Sequence, residues 1–407
     1  MEIRQQSGFF VQEVFLNRNG KTYYPPNKKP FAHFASPPPK CYATRDMKTS
    51  ILDSREKIAK LDTENLLGSI EALPDQIEIT WSKSASAKLP VAYKQTKRIV
   101  VCGMGGSTLP PDVVLSTFLN RVACPLVIVR DYHLPAWVDK DTLVIACSYS
   151  GNTEETLSAT NEAAARKAKV VVITGGGQLL ELAKSNRWPT RLLTQEGNPS
   201  NQPRMAIGSF TFTLIEILRT HGSLHIEAEE VHNLAEFLRE QMKQFTPEVK
   251  DNPAKQIAEA AKEGFPLFIS AQHLTGSVHV MTNQFNENAK HIAFRLEVPE
   301  MNHHFLEALS FPTKAKASLS AILFQSQYYN SQTQKRIQLT AELLLKNGIP
   351  TQIVNSDAAS PLEQAWETLC LGSFASFYLA MLHKIDPAPV PNVESFKKAL
   401  ANKLPTK

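Results

Sequence analysis

The sequence lacks the features that would place it in several large classes of protein. No apolar run approaches the roughly 20 residues that a membrane-spanning helix needs, so we expect no membrane segment. Its five cysteines are odd in number and form no C-x-x-C pair. This pattern argues against a disulfide framework and against a zinc site. We interpret them as reduced thiols, buried at Cys102 and Cys147, in a cytoplasmic protein.

Little net positive charge lies outside the first 46 residues. The net charge of the 407-residue chain is +5, and residues 1–46 hold seven lysines and arginines against three acidic residues. The rest of the chain is therefore nearly neutral. Its composition gives no reason to expect nucleic acid as a partner.

Residues 1–46 contain six prolines and no sustained hydrophobic period, so we predict a disordered N-terminal extension. Its short apolar run is broken by Gln12 and Glu13 and makes a poor secretory signal. From Met47 the spacing becomes helical, which predicts a helical segment over 47–95. We expect Met47 to be the natural start, and native peptides from residues 4–40 in mass spectrometry would contradict this.

The remaining sequence contains apolar strands that alternate with helices. Strands are predicted at 98–102, 126–130, 143–147, 170–174, 190–194, 266–270, 321–325 and 351–355. Helices are predicted at 157–168, 207–221, 228–245, 334–347 and 361–383. Such alternation indicates parallel sheets covered on both faces. We predict an α/β fold with flavodoxin/Rossmann-like layers in two similar halves, 96–245 and 246–407, and a ligand at their junction.

The most informative stretch is S-Y-S-G-N-T-E-E-T at 148–156, between a predicted strand and an alanine-rich helix. Ser148, Ser150 and Thr153 supply hydroxyls where a helix start presents unpaired N–H groups and the positive end of its dipole. Together they predict a phosphate cradle. The alternative is a helix cap, because Asn152 with a glutamate three residues on fits a capping box. Both interpretations can hold together.

A second glycine-rich loop follows the predicted strand 98–102 and contains Gly105, Gly106 and Ser107. Prolines in the next turn suit a helix start. The dinucleotide fingerprint G-x-G-x-x-G fails, since its last glycine would fall at Thr108. Two such loops after neighbouring parallel strands instead predict one phosphomonoester held between them.

A carboxylate and an imidazole stand among amides in the second half. Glu287 lies in N-E-N-A-K, and His303 ends P-E-M-N-H 16 residues later. A carboxylate beside a bound sugar can take a proton from the carbon next to a carbonyl, and an imidazole can exchange protons with sugar oxygens. Taken alone, Glu287 is better explained as a surface helix residue, because a single acidic residue is seldom catalytic. His303 and His304 have no H-E-x-x-H or nearby third ligand, so we predict no metal.

These motifs resemble the bifunctional phosphoglucose/phosphomannose isomerases, which are built from two sugar-isomerase (SIS) domains. The resemblance extends from about Met47 to Leu400. It rests on 103–107, 148–156, Pro203-Arg204, 286–290, 299–303 and the tail that runs from Ile385 to Lys397. It implies a cytoplasmic homodimer that converts glucose 6-phosphate, and mannose 6-phosphate, to fructose 6-phosphate through an enediol, with neither a metal nor an organic cofactor.

The resemblance also implies a role for each site residue. The phosphate would be bound by Gly105, Gly106, Ser107, Ser148, Ser150 and Thr153. Glu287 would move the proton between C1 and C2, and Arg204 would stabilise the enediolate. His303 would assist ring opening from the partner subunit, and Lys397 would act at the ring oxygen, with Lys398 as the alternative.

Three departures from the family pattern accompany the resemblance. His304 stands where the family usually has asparagine, Gln325-Ser326-Gln327 replaces an expected Arg-Asp, and Ala388 replaces a threonine near the sugar. We expect the change at Ala388 to affect the activity towards mannose 6-phosphate more than the activity towards glucose 6-phosphate.

Two other functions remain open. A SIS-domain sugar-phosphate sensor needs the two loops but not Glu287, Arg204 and His303, and the presence of all three favours an enzyme. An isomerase of another phosphosugar, such as a pentose or heptose phosphate, would differ in the length of its pocket.

Overall fold

A computed structural model describes residues 10–13, 15–16, 22–23, 50–84 and 88–403 of the chain. Its strands are β1 (Phe10–Glu13), β2 (Phe15–Leu16), β3 (Thr22–Tyr23), β4 (Arg98–Cys102), β5 (Leu126–Val129), β6 (Thr142–Ser148), β7 (Lys169–Thr174), β8 (Thr190–Leu192), β9 (Phe265–Ser270), β10 (Phe294–Glu297), β11 (Leu319–Gln325) and β12 (Thr351–Asn355).

Helices connect and cover these strands. They are α1 (Arg55–Ala59), α2 (Leu66–Glu71), α3 (Leu73–Ser84), α4 (Val91–Lys94), α5 (Leu109–Phe118), α6 (Glu154–Ala165), α7 (Gly177–Asn186), α8 (Ile207–His221), α9 (Ala228–Met242), α10 (Pro253–Ala261), α11 (Thr275–Glu287), α12 (Phe305–Ala308), α13 (Thr313–Lys316), α14 (Ser331–Lys346), α15 (Pro361–His383) and α16 (Pro391–Lys403).

The first half is built on a parallel sheet in the order β5-β4-β6-β7-β8. All seven residues of β6 are buried, which explains why the central strands are continuous apolar runs in the sequence. The chain leaves β4 towards β5 on one side and returns to β6 on the other. In open α/β sheets, ligands bind beyond the carboxyl ends of the strands at such a reversal.

The second half repeats this order with β10-β9-β11-β12, all parallel. The two parallel sheets flanked by helices confirm the predicted fold. Strand β10 was not predicted: its four residues, F-R-L-E, alternate in polarity and do not form the continuous apolar run by which the other strands were recognised, and Phe294 and Glu297 are exposed.

Little of the N-terminal segment lies among the described residues. Within 1–46, where the sequence predicted disorder, Phe10–Glu13 pairs antiparallel with β12, and Phe15–Leu16 pairs with Thr22–Tyr23. The boundaries proposed from the sequence, 1–46, 47–95, 96–245 and 246–407, remain predictions.

Helix α15 lies at the centre of the molecule. It packs against α10 and α11 of the second half and also against α2, α5 and α9, so one continuous hydrophobic core spans both halves. Its length and composition would suit a membrane span, but 94% of its most apolar window is buried inside the protein. Cys102, Cys147 and Cys370 are free and buried; Cys41 lies outside the described residues.

Candidate active site

The first cradle, residues 103–108, begins where β4 ends and turns through a 3-10 helix into α5. Gly105 has a left-handed φ of +52°. A Cβ on Gly106 would stand 3.3 Å from the backbone nitrogen of Arg204. Glycine therefore lets the Arg204 turn approach the cradle closely.

The second cradle, residues 148–153, joins β6 to α6. The hydroxyls of Ser148 and Thr153 are hydrogen-bonded at 2.9 Å, and Ser150 Oγ accepts from the Asn152 backbone N–H at 3.3 Å. The capping box predicted from the sequence is wrong. Thr153 is the N-cap residue of α6 and its side chain makes no capping bond, while Asn152 Oδ1 accepts from the N–H of Gln178 instead.

The two cradles meet at the reversal between β4 and β6. Ser107 Oγ accepts a hydrogen bond from the Tyr149 backbone N–H at 3.2 Å. The hydroxyls of Ser107 and Ser148 are thereby gathered at the carboxyl ends of adjacent strands. With the uncapped start of α6 nearby, the arrangement has the donors that an anion requires.

Arg204 lies in the short 3-10 turn Pro203–Met205 and is 3% exposed. Its Nε donates to Asn288 Oδ1 at 2.6 Å, and its Nη1 donates to Gln202 Oε1 at 2.9 Å. Its Nη2 donates to the carbonyl oxygens of Pro387 at 2.9 Å and Ala388 at 2.7 Å. The guanidinium is thus held in one orientation beside the first cradle.

Glu287 is the last residue of α11, and its Oε2 lies 3.7 Å from Nη1 of Arg204. About a third (32%) of its side chain is exposed. Burial raises the pKa of Glu287, while the positive charges of Arg204, Lys290 and Lys397 oppose the rise. A carboxyl group whose pKa is raised towards neutrality is better suited to both taking and returning a proton.

Sequence reasoning missed the residues that hold Arg204. Asn288 is fully buried, and its Nδ2 donates a hydrogen bond to Ser376 Oγ on α15 at 3.0 Å. Residues 386–388, which we call the carbonyl strap, point three backbone oxygens at Arg204 and Lys290. Backbone acceptors leave no side-chain signature, although Asn288 and Lys290 stand in the N-E-N-A-K motif.

His303 is the predicted site residue that the structure does not bring to the others. It ends the 3-10 turn Glu300–His303 and is exposed to solvent. Across the described residues, no hydrogen bond or ion pair joins it to Glu287, Arg204 or either cradle. Within one chain, His303 therefore stays outside the cluster.

Lys397 lies on the exposed helix α16 at the end of the tail. Its charge opposes the rise in the pKa of Glu287 that burial causes, and Lys398 has no such effect. Of the two lysines offered by the sequence, Lys397 is the one whose charge acts on Glu287.

Comparison with known proteins matches both halves to described families. Residues 92–188 match the SIS domain, and residues 250–400 match the bacterial phospho-glucose isomerase C-terminal SIS domain. The chain is 30% identical to the bifunctional phosphoglucose/phosphomannose isomerase of Aquifex aeolicus over 338 residues, 83% of this chain and 98% of the relative. It is 28% identical to that of Caldicellulosiruptor bescii over 342 residues, 82% of this chain and 98% of the relative.

Solved structures share the fold. The crystal structure of a hypothetical protein from Thermus thermophilus superimposes with a TM-score of 0.67 at 16% sequence identity. The match covers 86% of this chain and 94% of that one.

Proposed function

The chain belongs to the family of bifunctional phosphoglucose/phosphomannose isomerases, and we propose that it interconverts glucose 6-phosphate, and mannose 6-phosphate, with fructose 6-phosphate in the cytoplasm. The observation that carries the proposal is the 3.7 Å approach of Glu287 to a fixed Arg204, beside two cradles that suit a phosphate. A sensor would need the cradles but not this pair.

The proposed reaction begins with the phosphate bound by Gly105, Gly106, Ser107, Ser148, Ser150 and Thr153. Glu287 then takes the proton from C2 of the open-chain aldose. Negative charge develops on the oxygen at C1, where the remaining N–H of Arg204 stabilises it. The same carboxyl group returns the proton to C1 as the O2 hydroxyl proton moves to O1, so no other reactant is consumed.

Ring opening is assigned to His303 and Lys397. The exposure of His303, apart from its own Glu287, supports a homodimer in which it reaches the partner subunit's site. The outer edge of β10, just before this histidine, pairs with no strand in the described part of the chain, and Phe294 there is 52% exposed. Such an edge is available to a second copy.

The mannose activity depends on the tail. Ala388 is fully buried, and its carbonyl oxygen is bonded to Arg204. The methyl group that replaces the family's threonine hydroxyl removes one polar contact near the sugar. We therefore expect glucose 6-phosphate to be the better substrate.

The test is to assay the protein, dialysed against EDTA, for fructose 6-phosphate formation from each aldose separately. Turnover of both sugars would support the proposal and exclude an essential labile metal. Turnover of glucose 6-phosphate alone would indicate that the changed tail around Ala388 has removed the activity towards mannose 6-phosphate. Tight binding with no turnover of either sugar would indicate a sugar-phosphate sensor. Turnover of only shorter or longer phosphosugars would indicate an isomerase of another phosphosugar.

A further inference from the structure

We propose that Lys290 is a positioning residue for this isomerisation: it holds the carbonyl strap, and through the strap it fixes the orientation of Arg204. The inference rests on the proposed function, because it assigns Lys290 a part in the same reaction. It concerns a residue that touches the supporting backbone rather than the reacting atoms.

The first step is the set of acceptors around Lys290. Its ammonium group donates to three backbone oxygens, those of Asn288 at 3.3 Å, Asp386 at 3.0 Å and Pro387 at 2.8 Å. An ammonium group has three donors and no acceptor, so this set can use all three. The lysine therefore joins the loop after Glu287 to the strap, which lies almost a hundred residues further along the chain.

The second step is that Arg204 uses the same strap. Its Nη2 donates to the oxygens of Pro387 and Ala388, so the Pro387 oxygen serves both cations. Together with Asn288 and Gln202, the strap engages four of the five N–H donors of the guanidinium. The remaining N–H is on Nη1, the nitrogen that lies 3.7 Å from Glu287. The strap thus determines which donor faces the reaction.

The third step is that the strap, although Pro387 and Ala388 are buried, has few other hydrogen bonds among the described residues. Thr63 Oγ1 donates to Asp386 Oδ2 at 2.5 Å, and the Ala388 N–H donates to Asp386 Oδ1 at 3.0 Å. Both act through the Asp386 side chain, and Pro387 has no N–H to contribute. Without Lys290, the carbonyl oxygens of Asp386 and Pro387 lose their lysine donor, and we expect the strap, still bonded to Arg204, to hold the guanidinium less precisely.

Charge around Lys290 makes this hold sensitive to pH. Although Lys290 is an exposed residue, partial burial of its ammonium group, and then the nearby Arg204, lower the pKa of Lys290 to about 8, while Asp386 and Glu287 oppose the change. Lys397 on α16 and Glu64 are the other charged groups at this cluster, since they act on Glu287 and Arg204. We expect kcat to fall above about pH 8 as Lys290 loses its proton.

Three variants test the proposal. Lys290→Met removes the ammonium group and keeps most of the apolar stem, and Lys290→Arg keeps a charge that does not titrate. Lys384→Met is the matched control, because it removes a charge from an exposed lysine two residues before the strap. We expect Lys290→Met to lower kcat about tenfold, as the loss of a charged hydrogen-bond set predicts. Its KM and its affinity for inorganic phosphate should stay unchanged.

The Lys290→Arg variant tests whether the positive charge at position 290 is what holds the strap. Lys290→Arg should retain most of kcat near neutral pH and lose the alkaline fall of kcat. A normal kcat in Lys290→Met, an equal loss in Lys384→Met, or a loss of phosphate affinity that matches the loss of kcat would each overturn the proposal.

Hydrogen–deuterium exchange gives a reading that does not depend on turnover. The peptide containing residues 384–390 should exchange faster in Lys290→Met than in the parent protein or in Lys384→Met, with inorganic phosphate bound in all three. Unchanged exchange would refute the hold on the strap even if the parent isomerises sugars. If Lys290→Met exchanges faster but the parent protein turns over no hexose phosphate, the contact between Lys290 and the strap is supported and only the proposed function is refuted.

Discussion

At the scale of single residues, the candidate chemistry depends on one carboxyl group and one guanidinium held at fixed separation. Glu287 is partly buried at a helix end, and Arg204 is almost fully buried with its donors assigned. A pre-oriented donor beside a base with a raised pKa is what proton transfer next to a carbonyl requires.

Replacing Glu287 by glutamine tests the base. The amide keeps the shape of the side chain but cannot accept the proton, so we expect kcat to fall at least ~10²-fold, the low end for acid–base groups. Affinity for inorganic phosphate should be unchanged, because the cradles are untouched. Isothermal titration with phosphate and a coupled assay measure the two, and near-normal turnover would exclude Glu287 from the mechanism.

Gly151 tests how tightly the second cradle is packed. Its φ is +69°, and an added Cβ would stand 1.8 Å from the carbonyl oxygen of Gly176. Gly222 is the matched control, since its φ is +91° but no atom lies within 4 Å. We expect Gly222→Ala to cost about 1 kcal/mol for its left-handed backbone, and Gly151→Ala to cost several times more and to weaken phosphate binding.

Chemical denaturation of both glycine variants measures the difference. Equal losses in the free energy of unfolding would show that backbone conformation alone, and not the contact with Gly176, makes glycine necessary at position 151.

At the scale of elements, the sequence predicted the buried apolar strands. It missed the short strand β10 and the backbone acceptors of the carbonyl strap. The strands of the first sheet were found because a fully buried strand such as β6 must be apolar throughout. Strand β10 was missed because it is a short, half-exposed segment with alternating polarity, and the carbonyl strap was missed because its acceptors belong to the backbone. The capping box failed because Asn152 bonds to the start of α7 rather than to its own helix.

A stacked histidine pair joins the loop after α11 to the end of α15. His291 Nδ1 and His383 Nε2 are 3.1 Å apart, and the rings lie 5.2 Å apart at an angle of 17°. Burial, and then His291 and Lys262, lower the pKa of His383, while Glu263 opposes the change. In the folded state, His383 therefore binds a proton less readily than it does in the unfolded chain.

This pair predicts a loss of stability in acid. Stability linked to His383 is complete above its ordinary pKa of about 6.5 and falls as the pH drops through the lowered value. The free energy of unfolding should therefore fall more steeply between about pH 7 and pH 5 in the parent than in His383→Gln, which cannot titrate there. Parallel pH profiles from denaturant titrations would contradict the assignment.

At the scale of the whole molecule, the sequence indicated two similar halves but not how completely they share their interior. Two parallel sheets could be inferred from the alternation of strands and helices, but their repeated strand order could not, because the edge strand β10 was missed. The separation of His303 from Glu287 within one chain agrees with the role in the partner subunit that the resemblance implies for it, and that role stays a prediction.

Mixing two inactive variants tests the shared site. In a hybrid dimer of Glu287→Gln with His303→Ala, one site has both changes and the other has neither. Random reassociation of equal amounts should therefore restore about a quarter of the parent's sites, if the dimer is a two-fold assembly. Each variant refolded alone is the control, and no recovery in the mixture would place His303 and Glu287 of the same chain in one site.

The central position of α15 limits how such a chain can diverge. This helix belongs to the second half, yet its surface completes the interior of the first half through α2, α5 and α9. The core around α15 draws on both halves, so loss of either half would expose it, and a lineage cannot lose or replace one of them as a module. Recombination near residues 245–246 would yield folded offspring only when the parents carry matching α15 surfaces, and change on this helix must be compensated on both sides at once.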